Sequence, residues 1–268
     1  VQRVNFSRLK HIGRSPAHYR YEVDHGAERA KLARFGVLDE DDTEARQRGR
    51  VVAMAAFEPQ VFKEQVVVFP GKVRRGSSWE EFLDRHPDAE IVTEKLYEHA
   101  RKMGKIIREH EQAAPLLHGG IAEVTCIWEH VRKAVEGVGG YRFPCKGRLD
   151  YVSNAISDLK HVTTAEMRDF GNAVMRYKWH AQGAFYKDGV FASTGRDLPY
   201  FIIALESEPP YVLQVYELAD EELQIGRDTY RAWLDRLDEC RRTKRYPGYA
   251  EAPMKLQLPR YAYPNDDF

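Results

Sequence analysis

The chain has 268 residues, and its 41 Lys and Arg balance 41 Asp and Glu to a formal net charge of zero. With 43% hydrophobic and 31% charged residues, the sequence is that of a soluble globular domain with a sizeable core, not of a disordered or membrane chain. Zero net charge excludes a protein that grips a polyanion by bulk charge, leaving local basic patches or a bound cation for that task. Three cysteines, Cys126, Cys145 and Cys240, without C-x-x-C spacing exclude a disulfide framework, a zinc ribbon and a four-cysteine cluster. They imply reduced thiols and a cytoplasmic setting. No apolar run approaches the roughly 18 residues of a membrane span, and Val1-Gln2-Arg3-Val4 does not read as a signal peptide.

Residues 5–35 are expected to form helices broken near Gly13-Arg14-Ser15-Pro16, where Ser-Pro opens a new helix. A further helix is expected over 43–57, running into Glu58-Pro59, and a strand over the β-branched run at 66–69, closed by Pro70-Gly71. From Ile91 to Gln112, Leu96, Ala100, Met103 and Ile107 recur at helical spacing. Strands are expected at 121–128, 143–152 and 156–162, the last two joined by a turn at Ser153-Asn154-Ala155. Thr163 and Glu166 have capping-box spacing, which predicts a helix from Thr163 with Met167, Phe170 and Val174 as its apolar stripe. Strands at 200–206 and 211–217 and a helix at 219–243, with Tyr230, Trp233, Leu234 and Leu237 on one side, follow. Residues 246–268 are aromatic and proline-bearing, a tail expected to pack across a surface. No repeat or linker divides the chain, so the expectation is one α/β domain over 1–268 with a helical N-terminal layer.

The chemistry concentrates in 121–188. Alternate side chains of a strand share a face, so Asp158 projects with Lys160, and Lys146, Arg148 and Asp150 project together. A three-residue turn between these strands sets Asp150 opposite Asp158, which gathers two carboxylates and an ammonium. Glu123 on the preceding strand is a candidate third carboxylate. Clustered carboxylates repel unless a cation lies between them, and hard oxygen donors suit Mg²⁺ or Mn²⁺. A metal so held activates water and stabilises charge on a phosphoryl oxygen, with a lysine beside it to orient the water or steady the transition state. An ordinary salt-bridged hairpin gives the same spacing.

Several motifs in order resemble the PD-(D/E)xK nuclease superfamily, and within it the RecE-type (exonuclease VIII) 5′→3′ double-strand exonucleases. Arg14-Ser15-Pro16-Ala17-His18-Tyr19 resembles an "SPAHY" element, and Phe57-Glu58-Pro59-Gln60-Val61-Phe62 resembles "LEPxxF". Glu123, Lys146-Gly147-Arg148-Leu149-Asp150 and Asp158-Leu159-Lys160 resemble the "E…KxRxD…DxK" core, and Gln182-Gly183-Ala184-Phe185-Tyr186 the "QxAxY" helix motif. The resemblance runs from about residue 5 to 250. It implies a mixed central sheet flanked by helices, with metal bound by Asp150, Asp158 and the Leu159 carbonyl. It further implies Lys160 as the catalytic lysine, Glu123 completing the acidic cluster, and Gln182 and Tyr186, one helical turn apart, positioning water or phosphate. Bacterial or phage origin, a RecT-like single-strand annealing partner and a ring-shaped homo-oligomer, a tetramer, are implied too.

Similar sequences carry a histidine where this one has Ala53. Alanine cannot ligate a metal, so this position implies impaired activity or a non-catalytic DNA-end-binding module of the same fold. The fit of the surrounding residues favours an alteration over a natural variant. Arg46, Arg48 and Arg50, then Lys72, Arg74 and Arg75, then Arg101, Lys102, Lys105 and Arg108 are candidates for a channel wall tracking phosphates, with Arg148 beside the core motif. His161 is a candidate phosphate contact, and Tyr141 and Phe143 beside Arg142 either stack on an unpaired end or form a hairpin tip.

Overall fold

In the computed structural model, residues 3–34, 40–71, 74–135, 139–250 and 252–258 are described. In chain order the elements are strand β1 (Val4–Asn5), helix α1 (Phe6–Leu9), α2 (Pro16–Arg34), α3 (Glu40–Phe57), α4 (Pro59–Gln65), β2 (Val66–Val68), α5 (Ser77–Arg85), β3 (Glu90–Val92) and α6 (Glu94–Glu109). They continue with β4 (Ile121–Arg132), β5 (Tyr141–Val152), β6 (Ile156–Val162), α7 (Met167–Tyr177), α8 (Trp179–Thr194), β7 (Tyr200–Glu206), β8 (Leu213–Glu217) and α9 (Asp220–Thr243). One mixed sheet runs β1-β5-β6-β7-β8, with β4 also paired to β5, and β2 and β3 form a separate parallel pair. The long strands and the central helices are those expected. The short elements β1, β3, α4 and α5 are additional, each of at most nine residues and too brief for periodicity to register.

The sheet is covered on both faces. On one side α1, α7, α8 and α9 bury Phe6, Leu9, Phe170, Phe185, Tyr230 and Leu234 against Ile202 and Ala204 of β7. On the other, α3 and α6 bury Val51, Val52, Ala100, Met103 and Ile107 against Ile203 and Leu205. Thus β7 reads as a continuous apolar run because neighbouring residues serve opposite layers, as a strand buried on both faces requires. In α6 the apolar stripe is extended by Gly104, and Thr93 Oγ1 accepts the Leu96 N–H at 3.2 Å to cap the start. This helix begins at Glu94 rather than Ile91, because Glu90–Val92 pair with Val66–Val68.

Two further expectations are corrected. α7 starts at Met167, and Glu166 is its N-cap: the carboxylate accepts the N–H groups of Arg168 and Asp169 at 2.9 and 3.1 Å, so no Thr163 capping box forms. Met167 consequently lies before the buried turn and is 71% exposed, while Phe170 and Val174 are buried. Tyr141 and Phe143 are neither a hairpin tip nor stacking platforms, being buried on β5. The tail meets the body at Pro247, whose carbonyl accepts the Ala17 N–H at 3.1 Å, and at Tyr249, bonded by Arg14 Nε at 3.2 Å. Residues 252–258 are exposed, and 259–268 lie outside the described residues.

Helices α8 and α9 approach closely because Gly226 of α9 presents no side chain to the His180 carbonyl. A Cβ there collides with backbone rather than a movable side chain. Gly226→Ala is therefore expected to lose stability by about 1–3 kcal/mol through overpacking, outweighing the roughly 1 kcal/mol of helix propensity that alanine brings. Denaturant unfolding decides the sign: a stabilised variant shows that the helices part freely.

Candidate active site

Strands β5 and β6 share only two rungs, Tyr151 with Ser157 and Val152 with Ile156, beside their connecting turn. One position further, the same register sets Asp150 opposite Asp158. There a side chain replaces the ladder: the Leu159 N–H donates to Asp150 Oδ2 at 2.9 Å. Asp158 is 2% exposed, and the Lys160 ammonium lies against its Oδ2 as an ion pair. That oxygen is nonetheless buried without a hydrogen-bond partner among the described residues. Lys160 also donates to Gln182 Oε1 at 3.2 Å and lies 5.4 Å from the centre of a Trp179 ring.

α8 brings the opposing groups. It is pressed onto the sheet along most of its length, burying Ala181, Gly183, Ala184, Phe185 and Val190. Gly147 of β5 makes room for Tyr186, whose ring a Cβ would meet at 2.9 Å. Tyr186 sits beside Gln182 and within reach of the charges of Asp158, Asp150 and Glu123. Burial first, and those carboxylates second, hold its hydroxyl protonated far above neutral pH, so it is a hydrogen-bond donor.

The carboxyl of Asp150 is held well above the usual carboxylate range. Burial is the larger cause and the charge of Asp158 the next, with Lys160 and the Leu159 N–H opposing them. Two carboxylates sharing a buried site, with one ammonium between them, are a donor set that a hard divalent cation completes. Glu123 is near enough for its charge to raise Asp150 further, but its carboxylate is engaged elsewhere. The β4–β5 ladder pairs Ala122 with Tyr151 and Val124 with Leu149 but skips the Glu123–Asp150 rung. Glu123 has φ 54°, a left-handed backbone uncommon for a residue with a side chain, and its carboxylate is ion-paired to Arg148. Among the described residues no three His, Cys, Asp or Glu side chains are grouped closely enough to hold a metal.

Sequence reasoning overlooked Tyr200, the first residue of β7 and 1% exposed. Its hydroxyl lies beside Asp158, and burial followed by the charges of Asp158 and Asp150 keeps it protonated. A tyrosine in a strand buried on both faces needs a partner for its polar tip, a signal that could have exposed it. Ala53 is half-buried on α3, between the fully buried Val52 and Ala55, and α3 packs against β5 and β6.

The basic residues are spread over several elements. Arg50 pairs with Glu90 at 3.2 Å and Arg74 donates to the Ile91 carbonyl at 3.3 Å, so both converge on β3, whereas Arg148 is at the carboxylates. Arg75 is exposed, and Lys72 lies outside the described residues. Arg101 pairs with Glu98 and Lys105 with Glu109 along α6, while Arg108 donates to the Ala55 carbonyl. No described helix is long and apolar enough to cross a membrane.

The comparisons with known proteins agree with this architecture. A crystal structure from Eubacterium rectale, described as a "Putative exonuclease", superposes with a TM-score of 0.58 at 20% identity, covering 96% of this chain and 90% of that one. That likeness is one of fold. No curated protein matches the sequence. The model of the PDDEXK-like domain of unknown function (DUF3799) matches residues 5–256. The chain belongs to that family, and through it to the PD-(D/E)xK nuclease superfamily.

Proposed function

We propose that this chain is a Mg²⁺-dependent 5′→3′ exonuclease of the RecE type, resecting linear duplex DNA to a 3′ single strand for annealing-type recombination. The observation that carries the reading is the buried pair Asp150 and Asp158 with Lys160 and Gln182 closed around it. Asp150, Asp158 and the Leu159 carbonyl would hold Mg²⁺ or Mn²⁺, with Glu123 joining them on release from Arg148. When bound, the cation supplies an activated water and neutralises charge on the scissile phosphate. The protein's own groups do the rest. Asp158 and Gln182 Oε1 fix the Lys160 ammonium beside the carboxylates, where it stabilises negative charge on phosphate oxygens. Tyr186 offers a protonated hydroxyl, and Gln182 orients Lys160. Arg148, Arg50, Arg74 and Arg75 are the proposed contacts to the duplex. The proposed assembly is a ring-shaped homo-oligomer, a tetramer, working with a RecT-like annealing protein.

Digestion of linear duplexes labelled at the 5′ or the 3′ end, with Mg²⁺ or EDTA, tests the polarity. Progressive Mg²⁺-dependent release from 5′ ends is expected; release from 3′ ends only overturns the assignment. Lys160→Ala is expected to abolish cleavage while duplex binding persists within about twofold. Ala53 favours a second reading, a module that binds DNA ends without turnover. If Ala53 is what slows the chain, Ala53→His raises the single-turnover rate at least tenfold; binding without release in both forms favours the passive module.

Asp150→Asn keeps an acceptor for the Leu159 N–H and removes the charge facing Asp158. In EDTA near neutral pH the variant is expected to be more stable by about 1 kcal/mol, a rise of about 2–4 °C in Tm. The sign follows from the raised carboxyl. Its ionised form is disfavoured in the fold, so wild type loses stability as the pH rises from about 4 through that raised value, and the variant does not. Mg²⁺ is expected to raise the Tm of wild type and to leave the variant unmoved. A variant destabilised in EDTA sinks the account of Asp150 as a repelled charge.

A further inference from the structure

Three buried side-chain nitrogens without a hydrogen-bond partner among the described residues belong to one cluster: Arg48 Nε, His99 Nε2 and His161 Nε2. They come from α3, α6 and β6. The two imidazoles lie with ring centroids 5.6 Å apart, and the Arg48 guanidinium is close enough for its charge to act on both. Alternation along β6 sends His161 to the face opposite Asp158 and Lys160, so the cluster lies in the α3–α6 layer and not among the carboxylates.

The connection from β7 to β8 borders it. Tyr211 has φ 63°, a conformation costly for a bulky side chain, and so is held there by its surroundings. Its ring lies 5.9 Å from His99, and the Lys102 ammonium stands 4.3 Å from the ring's centre. Around His99 the charges of Arg48, Lys102 and Lys95 outnumber the one carboxylate, Glu208.

A buried polar nitrogen left unpaired costs about 1–3 kcal/mol. Arg48 Nε can only donate, and with both neutral imidazoles assigned the tautomer that carries its proton on Nε2, three donors in one place point to an acceptor that belongs there. A cation is repelled by Arg48. A single water accepts two hydrogen bonds at most and gains only ion–dipole attraction from the surrounding positive charge, less than an anion gains. A tetrahedral oxyanion offers several oxygens to donors arriving from three elements and pairs with a guanidinium in charge-assisted bonds. The geometry points to a phosphate-group site formed by Arg48, His99 and His161, on the face of β6 turned away from the carboxylates. Its occupant is either free inorganic phosphate or a backbone phosphate of bound nucleic acid. The site does not depend on cleavage, so it stands or falls separately from the exonuclease reading.

Inorganic phosphate titrated into the whole chain in EDTA, at ionic strength held constant with chloride, is the probe. Calorimetry and thermal unfolding are expected to show saturable binding and a rising Tm. Arg48→Gln and His99→Asn are each expected to weaken that binding at least tenfold. An unphosphorylated duplex that displaces phosphate identifies the backbone as the occupant; retention of phosphate beside bound duplex identifies the free ion. Absence of saturable binding in wild type overturns the proposal, and so does unchanged affinity in either folded variant. Should both variants fail to fold, the wild-type titration alone decides.

Discussion

The arrangement depends on one unfavourable contact, two carboxylates held together away from water. Asp150 and Asp158 come from neighbouring strands and repel one another, and burial makes the repulsion stronger. A single ammonium, Lys160, and one backbone N–H offset only part of it. The remainder is borne by the framework. Residues 156–162 of β6 pair in parallel with 200–206 of β7 over their whole length, and β7 is buried on both faces. Strain at a site is sustained where the surroundings over-determine the geometry.

The helix over the site obeys the same logic. α8 carries small residues where it meets the sheet and α9, and this lets Gln182 and Tyr186 come down onto Lys160 and the carboxylates. The left-handed Glu123, bound by Arg148, lies at the edge of this region. Its charge still reaches Asp150, as a smaller cause than that of Asp158, and Arg148 is the cation that answers it.

Much of this was legible in the chain. Period-two alternation and a three-residue turn were enough to set Asp150 against Asp158, because hairpin register follows from turn length. The motifs at 146–160 and 182–186 name residues that the structure brings together, and the family match is consistent with the fold they imply. Other features were not legible, for physical reasons. Glu123 has the right spacing for the cluster, but spacing says nothing of a backbone turned to φ 54° or of an arginine that claims the side chain. Runs of basic residues looked like a surface wall. The pairs of Arg101 and Lys105 within α6 follow from helical spacing, but that Arg50 and Arg74 both meet β3, partners distant in the chain, is something no local pattern reveals. Tyr200 is hidden in an apolar run whose meaning depends on which strand lies beside it. His161 directly follows the DxK motif in the chain, and only the packing of α3 and α6 shows it facing other partners.

Strand β6 is thus divided residue by residue between two environments, with Asp158 and Lys160 on one side and Leu159 and His161 on the other. Insertion or deletion of one residue before it would exchange the two sets. Histidine would face Gln182, and an aspartate and a lysine would enter the layer of α3 and α6. What prevents that exchange is the ladder to β7, whose residues 201–205 are wholly apolar. The part of the chain least able to accept a change of length is therefore a stretch that contains no chemistry of its own.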